Sequence, residues 1–242
     1  MTKFIAFSRW LLITFVLMAE VARADAVDAV TELSFQTLLF GAGAQQSAEA
    51  NDKKAIAPDL PDLFYFDGKE YRSIEYPVSG LSDSHTYSGS LEMKFFTRSL
   101  GKDGQWLYHP VFSVQLQKSW RNAVVVILSR SDGMQGLVAF AVNTTPESFE
   151  AGTIKVLNLS ERNVILNASN EVFPLYPLKP VEINISDIKN NVLSVALALK
   201  EDSEYKLVYR RKWSMRPTIR GIYFLYTLGQ DSRRWYMKNI VL

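Results

Sequence analysis

Apolar and polar residues alternate with a period of two along most of the chain after residue 62. In residues 192–200 the apolar side of this alternation consists of Leu193, Val195, Leu197 and Leu199. Because successive side chains of a β-strand point to opposite faces of its sheet, the pattern is typical of an antiparallel strand with one buried face. Residues 205–213 alternate in the same way, with Trp213 on the apolar face and Arg211 beside it.

The pattern predicts fourteen strands, at 63–66, 70–77, 89–98, 105–117, 123–129, 136–142, 153–159, 163–168, 171–175, 178–185, 192–200, 205–213, 221–228 and 235–241. The strongest hairpin signals between them are Asp67-Gly68, Asp103-Gly104 and Asp132-Gly133, because glycine tolerates the positive φ of a tight turn. Asn190-Asn191 is a weaker signal of the same kind. No apolar stripe with a helical period interrupts this region, which argues against βαβ architectures.

These elements predict an all-β fold, an antiparallel β-sandwich of Ig-like or jelly-roll-like type over 63–242. A polar, proline-containing stretch near 143–152 could divide it into two lobes, and we favour one unit. Residues 25–62 are predicted to be an N-terminal segment and linker. In that segment 33–40 is a strand or a short helix, with a strand favoured, and 41–61 has the composition of a flexible linker.

The first 24 residues have the pattern of a secretory signal peptide. Lys3 and Arg9 supply positive charge before a short apolar run, and Ala22-Arg23-Ala24 offers the small-x-small motif of a cleavage site. The apolar run has about ten residues, whereas a membrane-spanning helix needs about 20. We therefore expect an exported protein, periplasmic or extracellular, with no transmembrane helix in the mature chain.

Composition excludes several kinds of chemistry. The 242 residues contain no cysteine and two histidines. Disulfides, cysteine-ligated metals and thiol nucleophiles are therefore impossible, and a histidine-rich metal centre is disfavoured. We expect no cofactor and no metal site.

Charge is balanced in the mature chain but unevenly distributed. Residues 1–24 hold three basic side chains and one acidic side chain, which leaves 24 of each in 25–242. This neutrality argues against nucleic acid as the main partner, since that affinity depends on neutralising phosphates. Residues 205–242 carry nine basic side chains and one acidic one, interleaved with tyrosine and tryptophan.

This basic, aromatic C-terminal portion is the candidate binding site. Arginine beside aromatic side chains can bind an anionic glycan or an acidic protein surface of the cell envelope. The candidate residues are Arg216, Arg220, Arg233, Arg234 and Trp235. The alternative interpretation is that these cations pair across strands with Glu171, Glu182 or Glu201.

Candidate catalytic residues are few. Ser82-Asp83-Ser84-His85 contains the residue types of a hydrolase, but neighbouring residues rarely converge on one point, and a polar hairpin loop is the favoured interpretation. His109 lies in an aromatic strand and is expected to be a packed or edge histidine. Four Asn-x-Ser/Thr triplets begin at Asn143, Asn158, Asn167 and Asn184. We attribute them to chance and to polar residues at strand edges rather than to glycosylation.

Three stretches, GTIKVLNLS at 152–160, WSMRPTIR at 213–220 and IYFL at 222–225, resemble a pattern in uncharacterised exported β-sandwich proteins of environmental bacteria. The resemblance covers about 63–242 and implies a sandwich fold and export, with no activity attached. Chain length, the signal peptide and two possible Ig-like units are also similar to periplasmic pilus-assembly chaperones, although their motifs are not matched residue by residue.

We therefore expect a non-catalytic binding or scaffolding module of the cell envelope. A carbohydrate-binding module is the main alternative, because Trp106, Tyr108, Trp120, Trp213 and Trp235 could be exposed. A pilus-chaperone-like assembly factor and a hydrolase are further alternatives. A hydrolase would need two carboxylates about 5–10 Å apart in a cleft.

Overall fold

The structure is a computed structural model that describes residues 30–41, 61–75, 80–129, 137–201, 204–227 and 234–242. The described residues are nearly all β, with 66% of them in strands and 3% in helix, which confirms the predicted all-β class. The predicted signal peptide and most of the predicted linker lie outside the described residues. In the part of the chain that is described, no helix has the length and apolar character required to cross a membrane.

The described residues contain sixteen strands, which fall into two sets of eight. The N-terminal half contains β1 (Val30–Gly41), β2 (Leu63–Phe66), β3 (Tyr71–Ile74), β4 (His85–Ser90), β5 (Glu92–Leu100), β6 (Trp106–Gln115), β7 (Asn122–Ser129) and β8 (Leu137–Asn143). The C-terminal half contains β9 (Thr153–Asn158), β10 (Val164–Ala168), β11 (Glu171–Leu175), β12 (Val181–Asn184), β13 (Val192–Glu201), β14 (Glu204–Ser214), β15 (Arg220–Thr227) and β16 (Trp235–Val241). Two 3₁₀ turns, Pro146–Ser148 and Lys189–Asn191, are the helical elements of the described residues.

The two halves have the same strand topology. The N-terminal half forms sheets of order β4-β1-β7-β8 and β3-β2-β5-β6, and the C-terminal half forms sheets of order β12-β9-β15-β16 and β11-β10-β13-β14. Adding eight to each N-terminal strand number reproduces the C-terminal order. β1 runs parallel to β7, as β9 does to β15, while the other pairings are antiparallel. The halves therefore repeat one eight-strand unit, and the predicted seam at 143–152 coincides with their connection.

Three clusters of buried side chains link the four sheets in one order. On β7, Val125 belongs to a cluster shared by both N-terminal sheets, whereas its neighbour Val126 belongs to a cluster shared with the C-terminal half. On β15, Phe224 belongs to that shared cluster and Leu225 to a cluster between both C-terminal sheets. The sheets β4-β1-β7-β8 and β12-β9-β15-β16 are thus the inner N-sheet and the inner C-sheet. The sheets β3-β2-β5-β6 and β11-β10-β13-β14 are the outer N-sheet and the outer C-sheet.

The N-terminal segment is part of the fold. β1 forms a strand, as favoured from the sequence, and it pairs with both β4 and β7 in the inner N-sheet. β1 therefore belongs to the same folded unit as β4 and β7, although the predicted domain boundary at residue 63 placed it outside that unit. Leu38 and Leu39 are at most 2% exposed because β1 buries both of its faces.

Two Asp-Gly turns form where they were predicted. At the β2–β3 turn, Asp67 Oδ1 accepts hydrogen bonds from the N–H groups of Lys69 and Glu70, and Gly68 has a φ of +99°. The Arg72 side chain donates to Asp67, and these bonds lower the pKa of Asp67 to about 2. Gly104 has a φ of +78° in the β5–β6 turn. Asp132-Gly133 lies outside the described residues, although β7 and β8 pair on either side of it.

Two strand predictions are wrong. The polar strand β4 was missed, because its sequence HTYSGS has no apolar alternation. In β14 a bulge breaks the predicted single apolar face between the pairs Leu197–Tyr209 and Ala198–Leu207. The bulge adds one residue to β14 and shifts the alternation of its side chains by one position. Leu207 and Trp213, which were predicted to share a face, therefore lie on opposite faces: Leu207 is 57% exposed and Trp213 is 4% exposed.

Candidate functional site

The structure places the five predicted site residues in different environments. Arg216 and Arg234 are exposed, and Arg233 lies outside the described residues. Arg220 is half-buried, and its Nη1 donates to the Phe149 carbonyl at 3.3 Å, so it holds the connection between the halves. Trp235 is 6% exposed and belongs to the cluster between the C-terminal sheets. The Trp235 ring is therefore a core element that offers no surface to a ligand.

The exposed cations of the C-terminal portion are concentrated on β14, which is the edge strand of the outer C-sheet. Arg210 pairs in register with Ala196, and Lys212 with Ser194. Since the alternate residues of β13 are buried in the C-terminal cluster, these four side chains face outward. The two cations thus stand beside small side chains that leave the sheet surface open.

A shallow cavity of about 810 Å³ lies over this outward face. We name it the cationic trough, and it is lined by Asn167, Ser169, Asn170, Ser194, Val195, Ala196, Leu207, Arg210, Arg211 and Lys212. Ser169 and Asn170 form the β10–β11 turn with positive φ values of 48° and 79°. Amide and hydroxyl groups therefore form one side of the trough, and the outward-facing cations Arg210 and Lys212 form the other. Arg211 lies between them on β14, in register with the buried Val195.

Two of the carboxylates proposed from the sequence, Glu171 and Glu182, do not neutralise the cations of the trough. Glu182 pairs instead with Lys155, with 3.1 Å between Oε1 and Nζ. Glu171 begins β11, which is separated from β14 by two strands. Among the described residues, no carboxylate makes an ion pair with the trough cations Arg210, Arg211 or Lys212. Within the part of the chain that the structure describes, the trough therefore carries positive charge without a carboxylate partner.

The N-terminal half offers an internal comparison at the equivalent place. Counting from the bulge between Phe95 and Phe96, Glu92 and Lys94 occupy the positions of Ser194 and Ala196, and Ser113 occupies that of Arg210. The Lys94 Nζ lies 3.7 Å from a Glu92 carboxylate oxygen, and the Ser113 hydroxyl donates to the other oxygen at 2.9 Å. On this surface of the repeat, the cation of the N-terminal half has a carboxylate partner, whereas the cations of the C-terminal half have none among the described residues.

The aromatic residues considered for carbohydrate binding divide between core and surface. Trp213 is 4% exposed, and its Nε1 donates to the Tyr209 hydroxyl at 3.1 Å. Trp120 and Tyr108 are half-buried. Trp106 on β6 is 52% exposed. One of the four tryptophans is thus available to a ligand, and it lies on the outer N-sheet, on the opposite half from the trough.

The predicted catalytic cluster has structural roles. The buried Ser82 hydroxyl accepts from the Thr37 N–H at 2.8 Å and fastens the segment before β4 to β1. His85 begins β4 and stacks on Phe35 with ring centroids 5.2 Å apart, and burial lowers its pKa. This residue is therefore a strand residue packed on the core, where a loop was expected. The described residues contain no group of three or more His, Asp or Glu side chains placed to hold a metal ion.

Three of the Asn-x-Ser/Thr triplets share one structural role that the sequence reading missed. Asn143, Asn158 and Asn184 are the last residues of β8, β9 and β12. Each side-chain Oδ1 accepts a hydrogen bond from the N–H two residues later, at 2.8–3.0 Å. Such Asx turns end the strand by giving the backbone another partner. In two of the three, the hydroxyls of Ser160 and Ser186 also donate to the same Asn158 and Asn184 oxygens, at 2.7 and 2.6 Å.

No protein-family model matches this sequence, and no curated protein matches it.

Proposed function

We propose that this chain is a non-catalytic exported binding module that binds an anionic glycan in the cationic trough, and that each half folds as a β-sandwich. One observation carries the function: Arg210, Arg211 and Lys212 line a polar trough and have no carboxylate partner among the described residues. The shared buried cluster between the two sheets of each half supports the sandwich arrangement.

The spacing and chemistry of the trough favour a polymer with repeated acidic groups. Arg210 and Lys212 are two residues apart on a strand, so their backbones are about 7 Å apart. A guanidinium and an ammonium side by side can engage successive carboxylate, sulfate or phosphate groups. Across the trough, Asn167, Asn170 and Ser169 supply amide and hydroxyl groups that can bond to sugar hydroxyls.

Two sequence features are consistent with a glycan rather than nucleic acid. The mature chain has equal numbers of acidic and basic residues, so its long-range field does not favour a polyanion of nucleic-acid charge density. The N-terminal pattern of residues 1–24 is typical of an exported protein, and acidic polysaccharides are ligands of the envelope and of the extracellular space. The catalytic interpretation receives no support, because Ser82 and His85 have structural partners.

The experiment compares two double variants of the full-length protein, purified after export. Arg210→Gln/Lys212→Gln removes two trough cations, and Arg216→Gln/Arg234→Gln removes two exposed cations outside it. The proteins are applied to an array of carboxylated, sulfated, phosphorylated and neutral glycans. Affinity is then measured by calorimetry with hexagalacturonate, and its methyl ester serves as the uncharged control ligand.

We expect the trough variant to lose at least tenfold in affinity for the acidic oligomer, since a hydrogen bond to a charged group contributes about 1.5–3 kcal/mol. The control variant should bind within about twofold of wild type, and the affinity should fall as salt rises. The proposal would be contradicted if the wild-type protein bound no acidic glycan on the array, or if both variants lost the same affinity. Tighter binding to single-stranded DNA than to any glycan would contradict it as well.

A further inference from the structure

The outward face of the outer N-sheet is aromatic, in contrast to the trough on the outer C-sheet. Phe66 and Tyr71 pair across β2 and β3, and Phe96 and Tyr108 continue the same face on β5 and β6. The Tyr71 and Tyr108 rings are stacked, with centroids 3.6 Å apart and planes within 5°. Phe96 packs against Tyr71 edge-on at 5.1 Å. These rings form a rigid surface beside the one exposed tryptophan of the half.

Trp106 is held in place at the edge of this surface. The Arg98 guanidinium lies 4.7 Å from the centre of the Phe64 ring and 4.2 Å from that of Trp106. Phe64 is 4% exposed, so the guanidinium is stacked between a buried ring and an exposed one. The indole is therefore oriented by its neighbours before any ligand arrives, although it remains 52% exposed.

A cavity of about 640 Å³ opens beside Trp106, lined also by Pro61, Asp62, Thr97, Arg98, Ser99 and His109. The Ser99 Oγ and the His109 Nε2 are hydrogen-bonded at 2.8 Å. Whichever of the two donates in this bond, the Ser99 hydroxyl keeps hydrogen-bonding capacity for a ligand. Asp62 adds a hydrogen-bond acceptor and Arg98 adds donors. The cavity thus combines one oriented aromatic surface with polar groups of both kinds, and its size is in the range of ligand pockets.

We propose that this cavity is a second binding site, which takes an uncharged pyranose sugar of a glycan chain. The C–H face of a pyranose ring is apolar and packs on an indole, while its equatorial hydroxyls need the donors and acceptors that Asp62, Arg98 and Ser99 provide. One carboxylate and one guanidinium leave the cavity without net charge, which favours a neutral ligand over an anionic one.

The cavity beside Trp106 is separate from the trough. The outer N-sheet and the outer C-sheet are the first and last of four sheets linked by three buried clusters, so their outward faces point in opposite directions. With about 10 Å between stacked sheets, the two faces are about 30 Å apart. A protein of this design can hold a neutral and an acidic glycan at the same time.

The test uses cellohexaose, mannohexaose, xylohexaose and chitohexaose with the full-length exported protein. Trp106→Ala is compared with Tyr176→Ala, which removes an aromatic ring of similar exposure, 49%, from the other half. Because both rings are on the surface, both variants should unfold at the wild-type temperature. We expect one of the four oligomers to bind, Trp106→Ala to weaken it at least tenfold, and Tyr176→Ala to change it less than twofold.

Binding of none of the four oligomers, or equal affinity of Trp106→Ala and wild type, would overturn the inference. So would release of new reducing ends that Ser99→Ala abolishes, because the Ser99–His109 pair would then be catalytic. The variant Arg210→Gln/Lys212→Gln should bind the neutral oligomer normally. If this variant loses the acidic glycan and keeps the neutral one, the two sites are shown to act separately, so either proposal can fail without the other.

Discussion

Lys155 is expected to be a stabilising connection between the two halves. It lies on β9 with its side chain 5% exposed, and its Nζ donates to the carbonyl of Asn143, the last residue of β8, at 2.7 Å. The ammonium also lies 4.5 Å from the centre of the Phe149 ring and 3.1 Å from a carboxylate oxygen of Glu182. One buried cation thus joins a strand of each half and the segment between them.

Lys155→Met keeps the aliphatic length of the side chain and removes the charge. A lost hydrogen bond between a charged donor and a buried carbonyl costs about 1.5–3 kcal/mol, and the contact with Phe149 contributes about 1 kcal/mol. Part of this loss is offset, because the variant no longer has to bury a charged ammonium group. We therefore expect a net loss of about 2 kcal/mol, which for a chain of this size lowers the Tm by about 4–8 °C.

The assay is thermal and urea unfolding followed by circular dichroism. Lys94→Met is the matched control, because Lys94 also has a glutamate partner but its side chain is 53% exposed. An exposed pair contributes at most about 1 kcal/mol, so this variant should stay close to wild type. Glu182→Gln should also have a small effect, since Glu182 is 54% exposed. Equal Tm values for Lys155→Met and Lys94→Met would refute the reasoning.

Two further predictions concern polar side chains, the half-buried His85 and the buried Asn158. Burial against Phe35 lowers the pKa of His85, so the unfolded chain binds a proton at higher pH than the folded chain does. The contribution of His85 to stability is therefore complete above about pH 6.5 and decreases as pH falls below it. His85→Phe should flatten urea-unfolding stability between about pH 5 and 7, and an unchanged slope would contradict this. Asn158 is fully buried and donates to two backbone carbonyls, so Asn158→Ala should lower the free energy of unfolding by about 2–3 kcal/mol. The exposed Asn184→Ala should cost less than about 1 kcal/mol in the same melts, and similar losses in both would show that burial is not the cause.

Period-two alternation was sufficient to locate most strands, because a half-buried strand must place its apolar residues on one face. The bounds of β2, β11 and β16 were predicted to the residue. β4 has no such signal, since its polar residues pair with β1 through the backbone and only Tyr87 is buried. The reversal of Leu207 by the β14 bulge also escaped prediction, because a single extra residue leaves no mark on composition.

The candidate site was predicted in part. The excess of basic residues predicts a binding site in the C-terminal portion, and the trough cations Arg210, Arg211 and Lys212 belong to that portion. Their lack of a carboxylate partner among the described residues could not be deduced, because it depends on which strand lies beside β14. Trp235 was favoured for its residue type, but its position in the hairpin of β15 and β16 turns the ring into the core.

The sequence by itself determined the all-β class, most strands, two of the Asp-Gly turns and the uneven distribution of charge, because each of these depends on residues close together in the chain. Only the tertiary structure decided which strands are neighbours, that the two halves repeat one topology, and that the trough cations lack a carboxylate partner among the described residues. These properties depend on contacts between residues far apart in the chain, such as Lys155 with Asn143 or Arg220 with Phe149. The local pattern of a strand indicates which of its faces is apolar, but it does not indicate which other strand packs against that face.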